Sequence, residues 1–378
     1  MGRSASTVGD VCRALEAIAP ARLAEDWDNV GLLAGDRAAA CRRVLLCIDT
    51  TPAALAEAAR RRCDMIVSYH PPLFRPIKGL RADSPGTDAI VFEAIRRGIA
   101  IYSPHTALDA AEGGTNDVLA GLCSLRDVGP FTFVAGGPRE CKVVVFVPAD
   151  ALDRVAAAMF AAGAGRIGEY EQCSYRLRGE GTFFGTDATN PAVGRKGRLE
   201  RVEEVRLEMV APHGRVPEVV AAIRASHPYE TPAYDVYPLE AQPAKGIGRV
   251  GTLPPGTTLG ALARTLKRRV KSRVAQVVGD PKIRLRRAAV CVGAAGHLPL
   301  DHPRSANADV IITGEIRHHD ALTFLRVGKC AIALGHWESE RPILPVLARR
   351  LERAVGEARP ATIETIISRA DVGPFCPA

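Results

Sequence analysis

The chain has 378 residues, of which 47% are hydrophobic and 24% charged, and it carries a formal net charge of +8. These are the figures of an ordinary globular protein that can bury a large core, and the length predicts two domains rather than one. No apolar run reaches about 18 residues, so no transmembrane helix is predicted.

The first residues, MGRSASTVGD, have neither an apolar signal core nor an Arg-rich amphipathic stretch, which argues against export. Gly2 and Ser6 match the loose myristoylation pattern, but that pattern is short and no second membrane signal accompanies it, so an ordinary start is expected. The ten cysteines include no C-x-x-C pair. Most of them, Cys47, Cys141, Cys291 and Cys330 among them, sit in apolar runs, where a reduced cysteine acts as a small hydrophobe. A zinc ribbon or a disulfide framework is not expected, and the reducing cytoplasm is the expected location.

Three apolar runs of the first third read as buried strands: RVLLCIDT (43–50), DMIVSYH (64–70) and IAIYSPH (99–105). PAALAEAARRR (52–62) and TDAIVFEAIRRG (87–98) lie between them with apolar residues on one face, as in amphipathic helices. Strand alternating with helix implies right-handed crossovers and an α/β sheet covered on both faces. Such sheets bind ligands beyond the carboxyl ends of their strands.

From Cys141 the pattern changes. KVVVFVP reads as a strand, DALDRVAAAMFAAG as a helix, EQCSYRLRG and EGTFFGT as two strands, VEEVRLEMVAP as a long strand, VPEVVAAIRASH as a helix and AYDVYPLE as a strand. The order is β-α-β-β-α-β with one hairpin strand in excess, an α+β module of ferredoxin-like type. An inserted domain at 130–245 is therefore expected, with a discontinuous outer α/β domain formed by 1–129 and 246–378.

Residues 264–287 hold ten basic side chains and the single acid Asp280. A solvated helix face is the expected explanation, although the stretch can also attract an anionic ligand. Aromatic residues make up 5% of the chain and none falls in this stretch, so stacking on bases is unsupported and nucleic acid is not an expected partner. AAVCVGAAG (288–296), ADVIITGE (308–315) and CAIALGH (330–336) complete six strands assigned to one mostly parallel sheet. RPILPVLARRLERAV (341–355) reads as a helix with a proline in its first turn.

The strand ends carry the candidate chemistry. Pro71 and Pro72 cannot donate to a sheet ladder, so the second strand should stop at His70. His105 and His336 stand at two further strand ends, Glu315 ends another, and Asp109 and Glu340 follow the latter two histidines by four residues. Imidazole with carboxylate suits Zn, Mn, Fe, Co or Ni, and paired carboxylates can bridge two cations about 3.5–4 Å apart. The competing reading makes Asp109 and Glu340 helix N-terminal charges, and the two roles can coexist. No G-x-S-x-G elbow and no dinucleotide fingerprint occurs.

Six blocks in order, WDNVGLLAG (27–35), SYHPPLF (68–74), SPHTALDAAEGGTNDVLA (103–120), GIGRVGTL (246–253), TGEIRHHDAL (313–322) and GHWESERPIL (335–344), resemble the signatures of the GTP cyclohydrolase I type 2 homologs. These are also called Nif-three-like dinuclear-metal proteins. HPYETPAYDVYPL (227–239) is similar to the CutA- or PII-like insertion of the longer members. The resemblance implies a Nif-three-like outer domain and a centre of two divalent ions on Tyr69, His70, Asp109, His336 and Glu340, with Glu340 bridging. It places His105 beside the ions as a catalytic or orienting group, His318 and His319 on the same cavity, and Trp27-Asp28-Asn29 as a buttress. GAAGHL (293–298) is expected to be a cavity-lining turn, and His227-Pro228-Tyr229-Glu230 a subunit contact or cavity entrance.

Tyr69 departs from the His-His pair of the family. A phenol with a pKa of about 10 ligates poorly unless a metal depresses it, so one metal position is expected to be weak, differently occupied or empty. The implied activity is that of a metal-dependent hydrolase acting on a nucleotide or similar anionic small molecule, with Glu340 and His105 as catalytic groups. A non-enzymatic regulatory, scaffold or metal-handling protein is the alternative, and a homo-oligomer in the form of a hexameric ring is implied in either case.

Overall fold

The computed structural model describes residues 6–131, 140–239, 246–358 and 362–376. Gly2 and the stretches 132–139 and 240–245, beside which the expected domain joins fall, lie outside the described residues. The chain divides into two compact units, Met1–Val134 with Pro243–Ala378, and Ala135–Gln242. Among the described residues no helix is long and apolar enough to cross a membrane.

In chain order the strands are β1 (Gly31–Ala34), β2 (Arg43–Cys47), β3 (Met65–Ser68), β4 (Ala100–Ser103), β5 (Arg126–Gly129), β6 (Glu140–Val147), β7 (Tyr175–Phe184) and β8 (Leu199–Pro212). They continue with β9 (Tyr234–Pro238), β10 (Arg249–Thr252), β11 (Gln276–Val278), β12 (Arg287–Cys291), β13 (Val310–Thr313), β14 (Cys330–Ala333) and β15 (Glu364–Ile367).

The six predicted strands all form, but not in one sheet. Three of them fall in a sheet of order β1-β4-β3-β2-β15 and three in a second sheet of order β11-β14-β13-β12-β10-β5. The first sheet has a parallel run β4-β3-β2-β15 with β1 antiparallel at one edge, and the second a parallel centre β14-β13-β12 with antiparallel pairing on both sides. The expectation of a single sheet fails because β10 pairs antiparallel with β12 and seals that side, while the C-terminal β15 occupies the free side of β2. Apolar runs of this kind specify a strand buried on both faces but carry no partner information.

Both faces of each sheet are covered. In β2, Leu46 packs with Val11 and Leu15 of the helix Val8–Ile18, whereas the next residue towards the amino end, Leu45, packs with Leu55 and Ala58 of the helix Pro52–Arg60. In the second sheet Ile312 faces the helix Leu259–Arg269 and Ile311 faces Phe324 of the helix Phe324 belongs to, His318–Arg326. Alternation of side chains across the pleat delivers one residue to each layer.

The second unit is a four-stranded antiparallel sheet of order β7-β8-β6-β9. Its helices Leu152–Ala161 and Val216–Ser226 pack Val155, Met159, Val219 and Ile223 against Val143, Val145, Leu207 and Met209. This is a minimal β-α-β-β-α-β order, so the extra hairpin strand expected from EQCSYRLRG and EGTFFGT is absent. The two expected strands meet at Gly179 and Glu180, yet the register runs unbroken from Tyr175 opposite Glu208 to Phe184 opposite Leu199. Gly179 and Gly181 stand opposite Glu204 and Val202 inside this ladder.

Candidate metal centre

The parallel pairing of β3 with β2 continues past Ser68: Tyr69 N–H donates to Cys47 O and His70 N–H to Ile48 O, both at 2.9 Å. Pro71 ends the ladder, leaving His70 at the carboxyl end of the first sheet. In the second sheet, Leu334 and Gly335 extend β14 by hydrogen bonds to Thr313 and Gly314, and the short helix His336–Glu340 begins immediately afterwards.

These two strand ends meet. His70 Nε2 lies 3.3 Å from Glu340 Oε2, and His336 Nε2 lies 3.2 Å from Glu340 Oε1. One donor atom from each of the three residues falls within 4.8 Å of the others. Glu340 is 3% exposed, and apart from the His70 ring nitrogen its Oε2 has no hydrogen-bonding partner. A buried carboxylate oxygen in that condition is costly unless a cation satisfies it. The donor set fits a divalent ion of the nitrogen-oxygen class.

Both imidazoles are braced from behind. His70 Nδ1 lies 2.9 Å from Asp49 Oδ1, and His336 Nδ1 lies 3.0 Å from Glu315 Oε1. A carboxylate that takes the Nδ1–H selects the tautomer whose Nε2 lone pair faces the metal position. Burial disfavours the His70 imidazolium, but hydrogen bonds to Asp49 and Glu340 outweigh it and raise the pKa to about 10. His336 is raised by its hydrogen bond to Glu340, with burial working against it. Burial pushes the Glu340 carboxyl up, and the two imidazoles more than reverse this, leaving it below the usual carboxylate range. The space between the three groups favours positive charge.

Two glycines make the space. At Gly293, with φ +63°, an added Cβ would stand 2.7 Å from Glu340 Oε1. At Gly314 it would meet Gly293 O at 2.7 Å and Ser339 Oγ at 2.8 Å. Ser339 Oγ accepts from Gly293 N–H at 3.0 Å and donates to His336 O at 2.8 Å, which ties the helix His336–Glu340 to the end of β12.

Asp109 and Tyr69 lie beside this cluster. Asp109 sits one turn after His105 in the helix His105–Ala110, and Tyr69 donates its phenol to Asp109 Oδ1 at 2.5 Å. Burial pushes the Asp109 carboxyl up to about 6, against the hydrogen bond from Tyr69 and with the nearby Glu340 charge. Burial raises the Tyr69 phenol well above its ordinary value, and the charges of Asp109 and Glu340 add to the effect. The Tyr69 ring centroid is 5.0 Å from that of His70 and 5.6 Å from that of His105, and the His70 and His105 rings are 5.3 Å apart.

His105 is held by Asp28, whose Oδ1 lies 2.8 Å from Nδ1, and Trp27 packs edge-on against the ring. Burial raises the Asp28 carboxyl, but hydrogen bonds from His105 and Thr106 outweigh it and lower its pKa overall. Asn29 Nδ2 donates to Leu73 O, fastening the WDN segment to the chain just after His70.

Thus His70, His336 and Glu340 come into direct contact, Tyr69 and His105 flank them, and Asp109 is joined through Tyr69. His318 and His319 are exposed, lie edge to face at 5.4 Å and do not enter the cluster. Of the GAAGHL turn, Gly293 touches the site, whereas His297 pairs with Asp320 at 2.8 Å. In the second unit, His227 Nε2 donates to Phe146 O and its Nδ1 accepts from Tyr229 N–H, which gives this histidine a role in closing a turn. Of the basic stretch, Arg264, Lys267, Arg268 and Arg269 are exposed on the helix Leu259–Arg269, whose Leu259, Leu262 and Leu266 face the core, and the other six follow the helix.

Sequence reasoning missed Asp49 and Asp371. Asp49 follows β2 at a strand end, the position that singled out the histidines, so the signal was present. Asp371 accepts from Ile48 N–H at 2.8 Å, Trp337 Nε1 at 3.1 Å and Arg341 Nη1 at 2.5 Å, and nothing local to it in the sequence announces this.

A family model described as Duf34/NIF3 (NGG1p interacting factor 3) matches residues 6–374. A protein of Halalkalibacterium halodurans named GTP cyclohydrolase 1 type 2 homolog is 35% identical over 368 residues, 97% of either chain. One of the same name from Mycobacterium tuberculosis is 36% identical over 363 residues, 95% of either chain. Among solved structures, the Bacillus cereus protein related to NIF3 superposes with a TM-score of 0.74 at 31% identity, over 99% of this chain and 100% of that one.

Proposed function

Since the chain belongs to the Duf34/NIF3 family, we propose that it is a metal-dependent hydrolase acting on a nucleotide or similar anionic small molecule. The observation that carries this reading is the buried Glu340 carboxylate, which faces only two imidazole nitrogens, each imidazole being braced from behind by a further carboxylate. A divalent ion on His70, His336 and Glu340 would supply Lewis acidity toward an electrophilic carbon or phosphorus centre of the substrate.

The chain's own groups complete the chemistry. Asp28 accepts a hydrogen bond from His105 Nδ1–H and so leaves Nε2 to accept or return a proton, with the ring orientation set in advance. Exposed Trp27 and Phe74, which pack on the same ring, offer an apolar wall to a planar substrate. The name of these relatives makes GTP the first substrate to try.

The β-α-β-β-α-β order of the second unit supports likening it to a CutA- or PII-like module. The assembly that goes with this proposal is a hexameric ring of identical chains, and light scattering on the purified protein tests it. Ten free cysteines, eight of them buried as small apolar groups, support placement in the reducing cytoplasm.

The decisive experiment is chromatographic detection of product from GTP and related nucleotides, with and without added divalent metal. Metal-dependent turnover by the wild type that Glu340→Gln abolishes, with the circular dichroism spectrum retained, is the expected result. Equal turnover by Glu340→Gln would overturn the proposal.

A further inference from the structure

The expectation of two ions meets a difficulty at Tyr69. The contacts divide the polar groups of the site into two sets. In one, both oxygens of Glu340 face imidazole nitrogens, Oε1 towards His336 and Oε2 towards His70, with the donor atoms gathered within 4.8 Å. Three protein donors and a solvent position are a sufficient set for one divalent ion. In the other, the buried Tyr69 phenol and the half-buried Asp109 carboxylate satisfy each other across 2.5 Å.

A second ion would have to draw its donors from that other set. Binding there would break the hydrogen bond between Tyr69 and Asp109 and put a phenol, a poor ligand, in its place. A histidine at position 69 would bring a lone pair and have no proton to lose, and would leave both Asp109 oxygens available. The difference between one and two ions therefore resides in a single side chain.

We propose that this chain holds one divalent ion, on His70, His336 and Glu340, and that the Tyr69–Asp109 hydrogen bond replaces the second ion. Asp109 then serves as the acceptor that orients the Tyr69 phenol beside the ion, and it ligates nothing. This inference rests on the reading of the cluster as a metal centre, and the test separates the two.

The full-length protein is stripped with chelator, reloaded with excess Zn²⁺ or Mn²⁺, freed of unbound metal by gel filtration and analysed for metal per chain by plasma mass spectrometry. One ion per chain is expected for the wild type and for Asp109→Asn, none for Glu340→Gln and two for Tyr69→His. Two ions in the wild type, or loss of the ion in Asp109→Asn, would overturn the inference and leave the metal centre standing. A folded Tyr69→His protein that still takes one ion would overturn the role given to Tyr69. Should that variant fail to fold, the wild-type count and Asp109→Asn decide the question. A wild type that retains no metal at all would sink the metal-centre reading itself.

Discussion

His70 and Glu340 approach to 3.3 Å, although one ends a strand of the first sheet and the other follows the last strand of the second sheet's parallel centre. No short segment of the chain contains the site. Its integrity depends on the groups that hold these two strand ends in place.

Glu340→Gln keeps the volume of the side chain and removes its charge. Metal affinity is expected to fall on the order of 100-fold or more, measured by isothermal titration calorimetry, because the buried anion between the imidazoles is gone. Unchanged affinity would show that Glu340 is no ligand.

Asp49→Ala and Glu315→Ala each leave one imidazole without its brace. Each is expected to weaken metal binding by about 10–100-fold, with little change in thermal stability since both carboxylates are exposed. A loss of stability without a loss of affinity would assign these groups to folding instead.

Gly293 and Gly296 form a matched pair for testing space against strain. Both have positive φ, +63° and +54°, but an added Cβ meets Glu340 Oε1 at 2.7 Å at Gly293 and nothing within 4 Å at Gly296. Either change to alanine is expected to cost about 1 kcal/mol through the backbone. Only Gly293→Ala should also weaken metal binding, and equal affinities in the two variants would refute the crowding of Glu340.

Asp371 is 1% exposed and binds the end of β2 to Trp337 and Arg341. Its replacement by alanine leaves a guanidinium and the N–H groups of Ile48, Asp49 and the Trp337 indole without their acceptor. A stability loss of about 3–5 kcal/mol in urea denaturation is expected, with a weaker metal site because Asp49 and the helix His336–Glu340 share this anchor. A loss below about 1 kcal/mol would contradict it.

Glu57 gives the pH dependence. Burial raises its pKa, but hydrogen bonds from Ala370 N–H, Ser368 Oγ and Arg369 N–H outweigh it, so the folded value lies below the unfolded one. The stabilisation is therefore present above the unfolded carboxylate value and is lost as pH falls through the depressed folded value. Melting temperatures measured from pH 6 downward should drop more steeply for the wild type than for Glu57→Gln. Parallel profiles would exclude Glu57 as a source of acid sensitivity.

Much of the site was legible because strand-end chemistry is local. Apolar runs that stop at His70, His105 and His336, with carboxylates one helical turn after two of them, are visible without any knowledge of strand partners. The same locality explains the errors. Gly179 and Glu180, where the two expected strands meet, lie inside β7, where only the partner strand β8 shows that the ladder continues. Six similar runs gave no indication that they divide three and three between two sheets.

By itself the sequence determined which residue types stand at the strand ends, and hence a nitrogen-oxygen site, because strand length and the proline stop are set within a few neighbouring residues. The tertiary structure alone decided which of those groups touch: it joined His70 to Glu340, gave each ligand imidazole its carboxylate and turned Tyr69 onto Asp109. The physical reason is that hydrogen-bond partners are chosen by distance and direction in the folded chain. Those vectors arise only when two sheets, each stabilised by its own buried faces, bring their carboxyl ends together.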